Sequence, residues 1–240
     1  MTWEKGDFLY EGKAKKVWKT GDPKVYIIEY KDHLTAFNAE KKATLEGKGR
    51  LNNEISAYLL AHLAARGVPT HFVERIDERH QAVRAVTIIP LEVVVRNVTT
   101  GSLCKRLGVE EGMELPRPLL ELYLKDDALG DPLVTDDHAL LFGWATEEEL
   151  ATLKAITLEV NDLLRALFRD LSIVLVDFKL EFGRTAEGDL VLADEISPDT
   201  CRFWDLATGD RLDKDRFRKD LGDVLGAYRE IWRRLSTREA

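Results

Sequence analysis

Cysteine is scarce in this chain of 240 residues, which contains only Cys104 and Cys201. The two lie far apart and fit neither a disulfide framework nor the ligand spacing of a zinc site, so we expect free thiols in a reducing compartment. No apolar run approaches the roughly 20 residues that span a bilayer. The first five residues lack the basic and apolar segments of a signal peptide. These absences favour a cytoplasmic protein.

A surplus of positive charge is also lacking. Lys and Arg number 35 against 43 Asp and Glu, which gives a net charge of -8 at pH 7. General nucleic-acid binding needs a basic surface, so we expect no nucleic-acid partner. The net charge does not exclude a local basic pocket for a small phosphorylated ligand. The hydrophobic content of 45% is ordinary for a globular protein, and the length suits one large domain or two lobes that share a core.

The first part of the chain predicts a sheet and one long helix. Segments with β-branched or aromatic residues predict strands at 7–11, 14–19, 24–30, 71–76 and 82–89. A helix that ends near Gly67 is predicted by apolar residues that recur every four positions: Leu51, Ile55, Leu59 and Leu63. Pro90 interrupts the last strand, which resumes at 91–95. We therefore expect two lobes, 1–89 and 90–240.

The second part predicts a mixture of helices and strands. A short helix is expected at 101–108, a long functional loop at 110–146, a long helix at 146–171, strands at 172–182 and 189–196, and a terminal helix at 215–235. Thr146 and Glu149 have the spacing of a capping box. The fold class is α+β, two-lobed, with mostly antiparallel sheets and flanking helices.

Alternation along the strand after residue 172 separates apolar from charged residues. One face carries Asp177, Lys179 and Glu181. The other face suits the core and carries Val174, Val176, Phe178, Leu180 and Phe182. A strand with one solvent-facing side would show the same alternation.

The next strand favours a metal site over a solvated face. If Glu187 and Gly188 form a two-residue hairpin turn, Glu181 lies opposite Asp194. Two carboxylates in that position repel each other. A bound cation would reverse the sign of this interaction. Magnesium suits the pair, because it uses one or two carboxylates and leaves its other positions to water and phosphates.

Three other segments carry candidate anion ligands. The string from Gly12 to Val17 could cover nucleotide phosphates, although it is not a Walker loop and an exposed basic hairpin is the alternative. Arg96 and Ser102 flank a helix start that favours an anion, with simple capping by Ser102 as the alternative. The turn at Pro198 and Asp199 brings Arg202 towards the metal side, unless that arginine lies on the surface.

Together these segments resemble the phosphoribosylaminoimidazole-succinocarboxamide synthase family, or SAICAR synthetases, over nearly the whole chain. The matching strings lie at 10–15, 94–97, 101–106, 175–183 and 194–199, with further similarity at 49–53 and 215–218. The resemblance implies a fold related to kinase and ATP-grasp architectures, with ATP between the lobes and its adenine near Pro90. It also implies a homodimer or larger homo-oligomer.

The family's reaction joins L-aspartate to carboxyaminoimidazole ribonucleotide (CAIR) at the expense of ATP, through an acyl phosphate. The resemblance implies roles for particular residues. Lys13, Ala14, Lys15 and Val17 would bind ATP, Glu181 and Asp194 would bind Mg²⁺, Lys179 and Asp177 would be catalytic, and Arg96, Ser102, Asp199 and Arg202 would bind the ribonucleotide. Apart from the resemblance, we expect the loop with Lys125 and Asp131 to close over the site and exclude water. A small-molecule kinase and a nonenzymatic nucleotide-binding module are the alternatives.

Overall fold

The computed structural model describes residues 3–36 and 40–238. The strands are β1 Phe8–Glu11, β2 Lys15–Lys19, β3 Val25–Tyr30, β4 His33–Ala36, β5 Lys41–Thr44, β6 Phe72–Arg75, β7 His80–Arg84, β8 Thr87–Val98, β9 Glu114–Leu124, β10 Leu133–Val134, β11 Ile173–Arg184, β12 Leu190–Ala193 and β13 Cys201–Asp205. The helices are α1 Lys48–Ala64, α2 Gly101–Leu107, α3 Asp136–Leu141, α4 Glu147–Asp170, α5 Asp215–Arg218 and α6 Val224–Ser236, with a 3-10 turn at Asp127–Leu129. No helix in these ranges has the length and apolar character needed to cross a membrane.

The strands form two large antiparallel sheets and one small hairpin. The N-terminal sheet has the order β1-β2-β3-β7-β6, and β4 pairs with β5 alone. The larger sheet has the order β10-β9-β8-β11-β12, with β13 also paired to β11. The fold is therefore α+β with antiparallel sheets and flanking helices, as predicted. The hairpin of β4 and β5, and strand β13, were missed in the sequence.

The main core lies between the larger sheet and its helices. Helix α4 packs on β11 and β8, while α1 packs against α6. Along α4 an apolar stripe at the helical period is buried, with Leu153, Val160 and Leu164 fully inaccessible. Thr146 and Glu149 form the predicted capping box: each side chain accepts a hydrogen bond from the other's backbone N–H. The capping box thus fixes the residue at which helix α4 begins.

A bulge in β11 changes which residues face the core. The pairing with β13 shifts between Leu175 and Asp177, so that Val176 is the extra residue. Beyond the bulge, even-numbered residues such as Phe178 point into the core, as predicted. Before it, Ile173 and Leu175 belong to the main core cluster, whereas the predicted Val174 is only partly buried. Val176 is fully buried, as predicted, but lies outside that cluster. Simple alternation cannot cross an inserted residue.

Strand β8 continues through Pro90, and the predicted interruption is wrong. The pairing between β8 and β11 shifts between Glu181, which pairs with Glu92, and Gly183, which pairs with Ile88, opposite the segment that contains Pro90. Proline is tolerated at a bulge because one ladder hydrogen bond is already missing there. The carbonyl of Pro90 still accepts a bond from the N–H of Lys125, at 3.0 Å. The proposed lobe boundary at 89/90 falls inside β8 and stays a prediction.

The segment 110–146 is not a long loop. It contains β9, a strand of 11 residues that pairs along β8, together with β10 and α3. Pro116 and Pro118 favoured a loop in the sequence. Both precede the part of β9 that pairs with β10, at Leu122 and Tyr123. On that side no neighbouring strand requires the N–H group that proline lacks.

The predicted terminal helix at 215–235 is two helices. Asp220, Gly222 and Asp223 all have positive φ angles, which an α-helix cannot contain. They separate α5 from α6. The side chain of Asp223 then caps α6 by accepting a hydrogen bond from the N–H of Gly226, at 3.0 Å.

Candidate active site

A cavity of about 760 Å³ lies between the N-terminal sheet and the larger sheet. A parallel bridge between Thr70 and Leu192 and a hydrogen bond from the N–H of His71 to the carbonyl of Leu192, at 2.8 Å, join the two sheets beside it. The cavity is lined by almost every residue that the sequence predicted for a site: Lys13, Ala14, Lys15, Val17, Arg96, Asp177, Lys179, Glu181, Asp194, Asp199 and Arg202. Ser102 is not in the lining, but it contacts Arg96.

The predicted register of β11 and β12 is wrong by one residue. Glu181 pairs with Ala193 rather than with Asp194. The hairpin loop has three residues, because the N–H of Thr185 donates to the carbonyl of Asp189 at 2.9 Å. Asp194 follows the end of β12 and has a φ of 61°, so strand alternation does not fix its direction. Both carboxylates nevertheless line the same cavity.

Lys15 neutralises Asp194 across the gap between the sheets. Its ammonium is ion-paired with the Asp194 carboxylate and lies 3.7 Å from Glu195 Oε2. Burial alone would raise the pKa of Asp194, but the ammonium groups of Lys15, Lys179 and Lys125 outweigh burial and hold that pKa below its ordinary value. Asp194 is therefore a carboxylate at neutral pH.

Two further lysines contact Glu181. Lys125 Nζ lies 2.7 Å from Glu181 Oε1, and Lys179 Nζ lies 3.3 Å from the same oxygen. Lys179 is also ion-paired with Glu92, the cross-strand neighbour of Glu181 on β8. Burial would lower the pKa of Lys179, but Glu181 and Glu92 outweigh it and raise the pKa. Glu92 was missed, although alternation along β8 places it on the same face as Arg96.

The carboxylates of this cluster fit a magnesium ion that arrives with phosphates. Among residues 3–36 and 40–238, no group of three His, Cys, Asp or Glu side chains could hold a metal ion without other ligands. Magnesium commonly takes only one or two protein carboxylates and fills its remaining positions with water and substrate phosphates. Glu181 and Asp194 supply hard oxygen donors on the wall of one cavity. They suit such an ion in the presence of a nucleotide.

Two arginines converge on Asp177 at another part of the cavity. Arg96 donates from Nη1 to Asp177 Oδ2 at 2.9 Å and from Nη2 to Ser102 Oγ at 3.0 Å. Arg202 donates from Nη1 to both oxygens of Asp177, at 3.1 and 2.8 Å. Gly101 has a φ of 58°, and a Cβ there would lie 2.8 Å from Arg202 Nη2. Only glycine allows the chain to pass the guanidinium so closely.

The hydroxyl of Ser102 hydrogen-bonds to Arg96 and does not cap helix α2. Thr100 is the N-cap residue of α2, and no side-chain hydrogen bond caps this helix. The hydroxyl of Ser102 instead accepts hydrogen bonds from Arg96 and, at 3.1 Å, from Arg106. The alternative interpretation, simple capping by Ser102, is therefore wrong. The hydroxyl lies among cationic groups, as a phosphate ligand would.

Asp199 is already bound by residues from two helices. Its carboxylate is ion-paired with the buried Lys48 and accepts hydrogen bonds from Asn52 Nδ2 at 2.9 Å and Tyr228 OH at 2.6 Å. These contacts tie the turn after β12 to α1 and α6. Asp199 lines the cavity, but its acceptor capacity is largely used within the protein. Its predicted role in substrate binding stays a prediction.

Fold and site together define a class: an enzyme that binds a phosphorylated substrate in a charged cavity between two antiparallel sheets. The model of the SAICAR synthetase family matches residues 8–235, and the chain belongs to that family. Phosphoribosylaminoimidazole-succinocarboxamide synthase of Bacillus subtilis is 58% identical over 231 residues, 96% of each chain. The enzyme of that name from Deinococcus deserti is 56% identical over 232 residues, 97% of this chain and 98% of the relative.

Solved structures of this family have the same fold. A SAICAR synthetase in complex with ADP is 48% identical and superposes with a TM-score of 0.93 over 96% of this chain and 98% of its own. The phosphoribosylaminoimidazole-succinocarboxamide synthase of Ehrlichia chaffeensis is 46% identical, with a TM-score of 0.94 over the same shares. Membership of the family therefore holds for the fold as well as for the sequence.

Proposed function

We propose that this protein joins L-aspartate to CAIR with the hydrolysis of ATP to ADP and phosphate, as a step of purine biosynthesis. Family membership over residues 8–235 supports the reaction. The observation that carries it in this chain is the cluster of Lys15, Lys125 and Lys179 around Glu181 and Asp194 in one cavity. A phosphoryl transfer needs such fixed charges more than it needs covalent help.

In the first step, an oxygen of the CAIR carboxylate attacks the γ-phosphorus of ATP. An O–P bond forms, the bond from this phosphorus to ADP breaks, and an acyl phosphate results. Lys13 and Lys15 would hold the phosphates of ATP, with Ala14 and Val17 beside the nucleotide. Glu181 and Asp194 would hold Mg²⁺, which when bound neutralises charge on the phosphates. Lys179, an ammonium among carboxylates, would orient the reacting carboxylate.

In the second step, the amine of aspartate attacks the carbonyl carbon of the acyl phosphate. A C–N bond forms, the C–O bond to phosphate breaks, and the proton lost by the amine passes to solvent. Water must be kept from the acyl phosphate meanwhile. Lys13 Nζ contacts Asp127 Oδ1 at 2.6 Å, so the first hairpin meets the 3-10 turn over the cavity. We propose that this contact shields the intermediate.

Arg96, Ser102 and Arg202 would bind the phosphate of the ribonucleotide, and Asp177 would position the two guanidinium groups. A carboxylate with a side-chain exposure of 9% or less holds each guanidinium in place: Glu121 for Arg96, at 2.7 Å, and Asp215 for Arg202, at 2.9 Å. A preorganised pair of guanidinium groups suits the geometry of a phosphate.

We further propose a cytoplasmic enzyme, because its relatives are biosynthetic and its described cysteines are free thiols. A homodimer or larger homo-oligomer, and a division into a nucleotide-covering lobe at 1–89 and a substrate lobe at 90–240, are part of the same proposal. A relation to kinase and ATP-grasp folds stays a prediction.

A coupled assay tests the function. With ATP, Mg²⁺ and CAIR present, ADP release is expected only after aspartate is added, with one succinocarboxamide product per ADP by mass spectrometry. A small-molecule kinase would release ADP at the same rate without aspartate. A nucleotide-binding module would release none. Either of these results would reject the ligase.

A further inference from the structure

Lys214 is a cationic side chain of the cavity, and no carboxylate of the described residues contacts its ammonium. Lys214 precedes α5, and its N–H donates to the carbonyl of Pro198 at 3.0 Å, which holds it against the turn after β12. Its side chain lines the cavity. Among the residues that the structure describes, its ammonium makes no hydrogen bond and no ion pair. Burial lowers the pKa of Lys214 to about 8, so burial of this cation is not compensated within the protein.

Arg218 adds a second cation one turn further along α5. It donates from Nη1 to Asp215 Oδ1 at 2.6 Å, and within the part of the chain that the structure describes its other guanidinium N–H groups make no hydrogen bond. Asp215 also accepts from Arg202, so Arg218 stands beside the arginine pair. Both Lys214 and Arg218 face the cavity. Lys214 and Arg218 can therefore each form an ion pair with one carboxylate group of a ligand.

A buried acceptor lies on the same side. Glu195 is 4% exposed and lines the cavity, and its Oε2 has no hydrogen-bond donor among the described residues. The nearest charged group is the ammonium of Lys15, at 3.7 Å, which is already ion-paired with Asp194. Lys214 is close enough to Glu195 and Asp199 for their charges to interact. A buried carboxylate oxygen without a donor is costly unless a ligand satisfies it.

We infer that Lys214, Arg218 and Glu195 form the subsite for the amino-acid substrate, a dicarboxylate with an α-amine. The inference rests on the proposed function. The two cations, Lys214 and Arg218, form ion pairs with the two carboxylates of the substrate. Glu195 accepts a hydrogen bond from the substrate's amine nitrogen. The cations at the other subsites are already matched to carboxylates: Arg96 and Arg202 to Asp177, and Lys15, Lys125 and Lys179 to the metal-binding pair. Lys214 and Arg218 thus supply cationic capacity that those subsites do not require.

Steady-state kinetics with each substrate varied in turn test the subsite. Lys214→Met and Arg218→Met are expected to raise the KM for aspartate about 10- to 100-fold, the range for loss of a hydrogen bond to a charged group. The KM values for ATP and CAIR are expected to change less than about twofold. Lys214→Arg keeps the charge and is expected to recover most of the affinity. Lys219→Met, which removes an exposed lysine paired with Glu111, is the matched control.

Inhibition by succinate distinguishes the residues that bind the carboxylates from the residue that binds the amine, because succinate has both carboxylates and no amine. Its inhibition constant is expected to rise in Lys214→Met and Arg218→Met and to stay unchanged in Glu195→Gln. The KM for aspartate rises in all three. A raised KM for CAIR in place of aspartate would assign Lys214 and Arg218 to the ribonucleotide phosphate and overturn the inference. An unchanged aspartate KM would do the same.

The wild-type assay distinguishes this failure from failure of the proposed function. If the wild-type chain shows no aspartate-dependent ADP release, the proposed ligase activity and the proposed aspartate subsite are both wrong. If it ligates normally and the KM of Lys214→Met for aspartate equals that of the wild type, only the proposed subsite is wrong. Thermal unfolding of Lys214→Met is expected to match the wild type, because the ammonium has no bonded partner to lose.

Discussion

The ammonium of Lys15 is ion-paired with the carboxylate of Asp194, and this contact joins the N-terminal sheet to the end of β12. Lys125 neutralises Glu181 in the same way, at 2.7 Å. The two carboxylates that we propose as magnesium ligands are therefore held by lysines. A nucleotide brings phosphates to which lysines can turn, and its metal ion can then take the carboxylates. The lysines and the metal ion thus compete for the same oxygen atoms.

Asp194→Asn is expected to lower kcat/KM about 100-fold or more, because it removes a fixed charge from the phosphoryl-transfer site and leaves Lys15 without its partner. The coupled ADP-release assay measures this. Glu187→Gln is the matched control: that carboxylate pairs with Lys24 on the surface, and both side chains are at least half exposed. Its activity should stay within twofold of the wild type. An Asp194→Asn enzyme within threefold of the wild type would contradict the assignment.

Removal of Mg²⁺ by a chelator is expected to abolish ADP release, and added Mg²⁺ to restore it. Titration calorimetry should show that Mg²⁺ binds the protein at least about tenfold more tightly with an unreactive ATP analogue than without it, a coupling of about 1.4 kcal/mol. Lys125→Met frees Glu181 from a competing ammonium and should strengthen binding of Mg²⁺ alone. Binding of equal strength with and without nucleotide would show that the lysines do not compete.

Arg96→Met is expected to destabilise the fold by about 3 kcal/mol, because the guanidinium is 3% exposed and its loss leaves Glu121 and Asp177 with fewer partners. Denaturant unfolding measures the change. Arg165→Met, which removes a surface pair with Glu114 at 3.5 Å, is the control and should cost less than about 0.5 kcal/mol. A cost below about 1 kcal/mol for Arg96→Met would show that the network contributes little.

Local patterns predicted much of this fold because their causes are local. The capping box at Thr146 and the apolar stripe of α4 depend on residues three or four apart, and both are present. The short helix that begins at Gly101 and the charged face of β11 after Asp177 follow from the same short-range rules. Strand alternation thus grouped Asp177, Lys179 and Glu181, while the roles of the other site residues were implied by the resemblance to the family.

The features of the fold and site that the sequence did not predict depend on contacts between residues far apart in the chain. The extra residue at Val176 and the bulge near Pro90 shift a register without a mark in the sequence. The three-residue loop moves the pairing of Glu181 by one position, and the φ of Asp194 then turns its side chain independently of the strand. The ion pair of Lys48 with Asp199, and the position of Lys214 in the cavity lining, arise only when α1 and α5 pack around the turn at Asp199.

Glu149 links the first turn of α4 to β11, and its stabilising effect should depend on pH. Its carboxylate is ion-paired with Arg184 and accepts a hydrogen bond from the N–H of Thr146, at 2.8 Å. Mainly because Arg184 donates to it, the pKa of Glu149 falls from 4.5 to about 2. A lowered folded-state pKa gives stability that is present above the unfolded value and is lost as the pH falls. The relevant window runs from about pH 4.5 down to about pH 2.

Glu149→Gln is therefore expected to cost about 1–2 kcal/mol in the free energy of unfolding at pH 7, from the cap and the charged hydrogen bond. The difference from the wild type should shrink as the pH is lowered through that window, because the wild-type carboxyl group then takes up a proton. Urea unfolding at a series of pH values measures it. Glu148→Gln, in the same helical turn but exposed, should follow the wild-type curve within about 0.5 kcal/mol. If the loss of unfolding free energy in Glu149→Gln stays constant down to pH 2, the carboxylate charge does not contribute to the stabilising effect of Glu149.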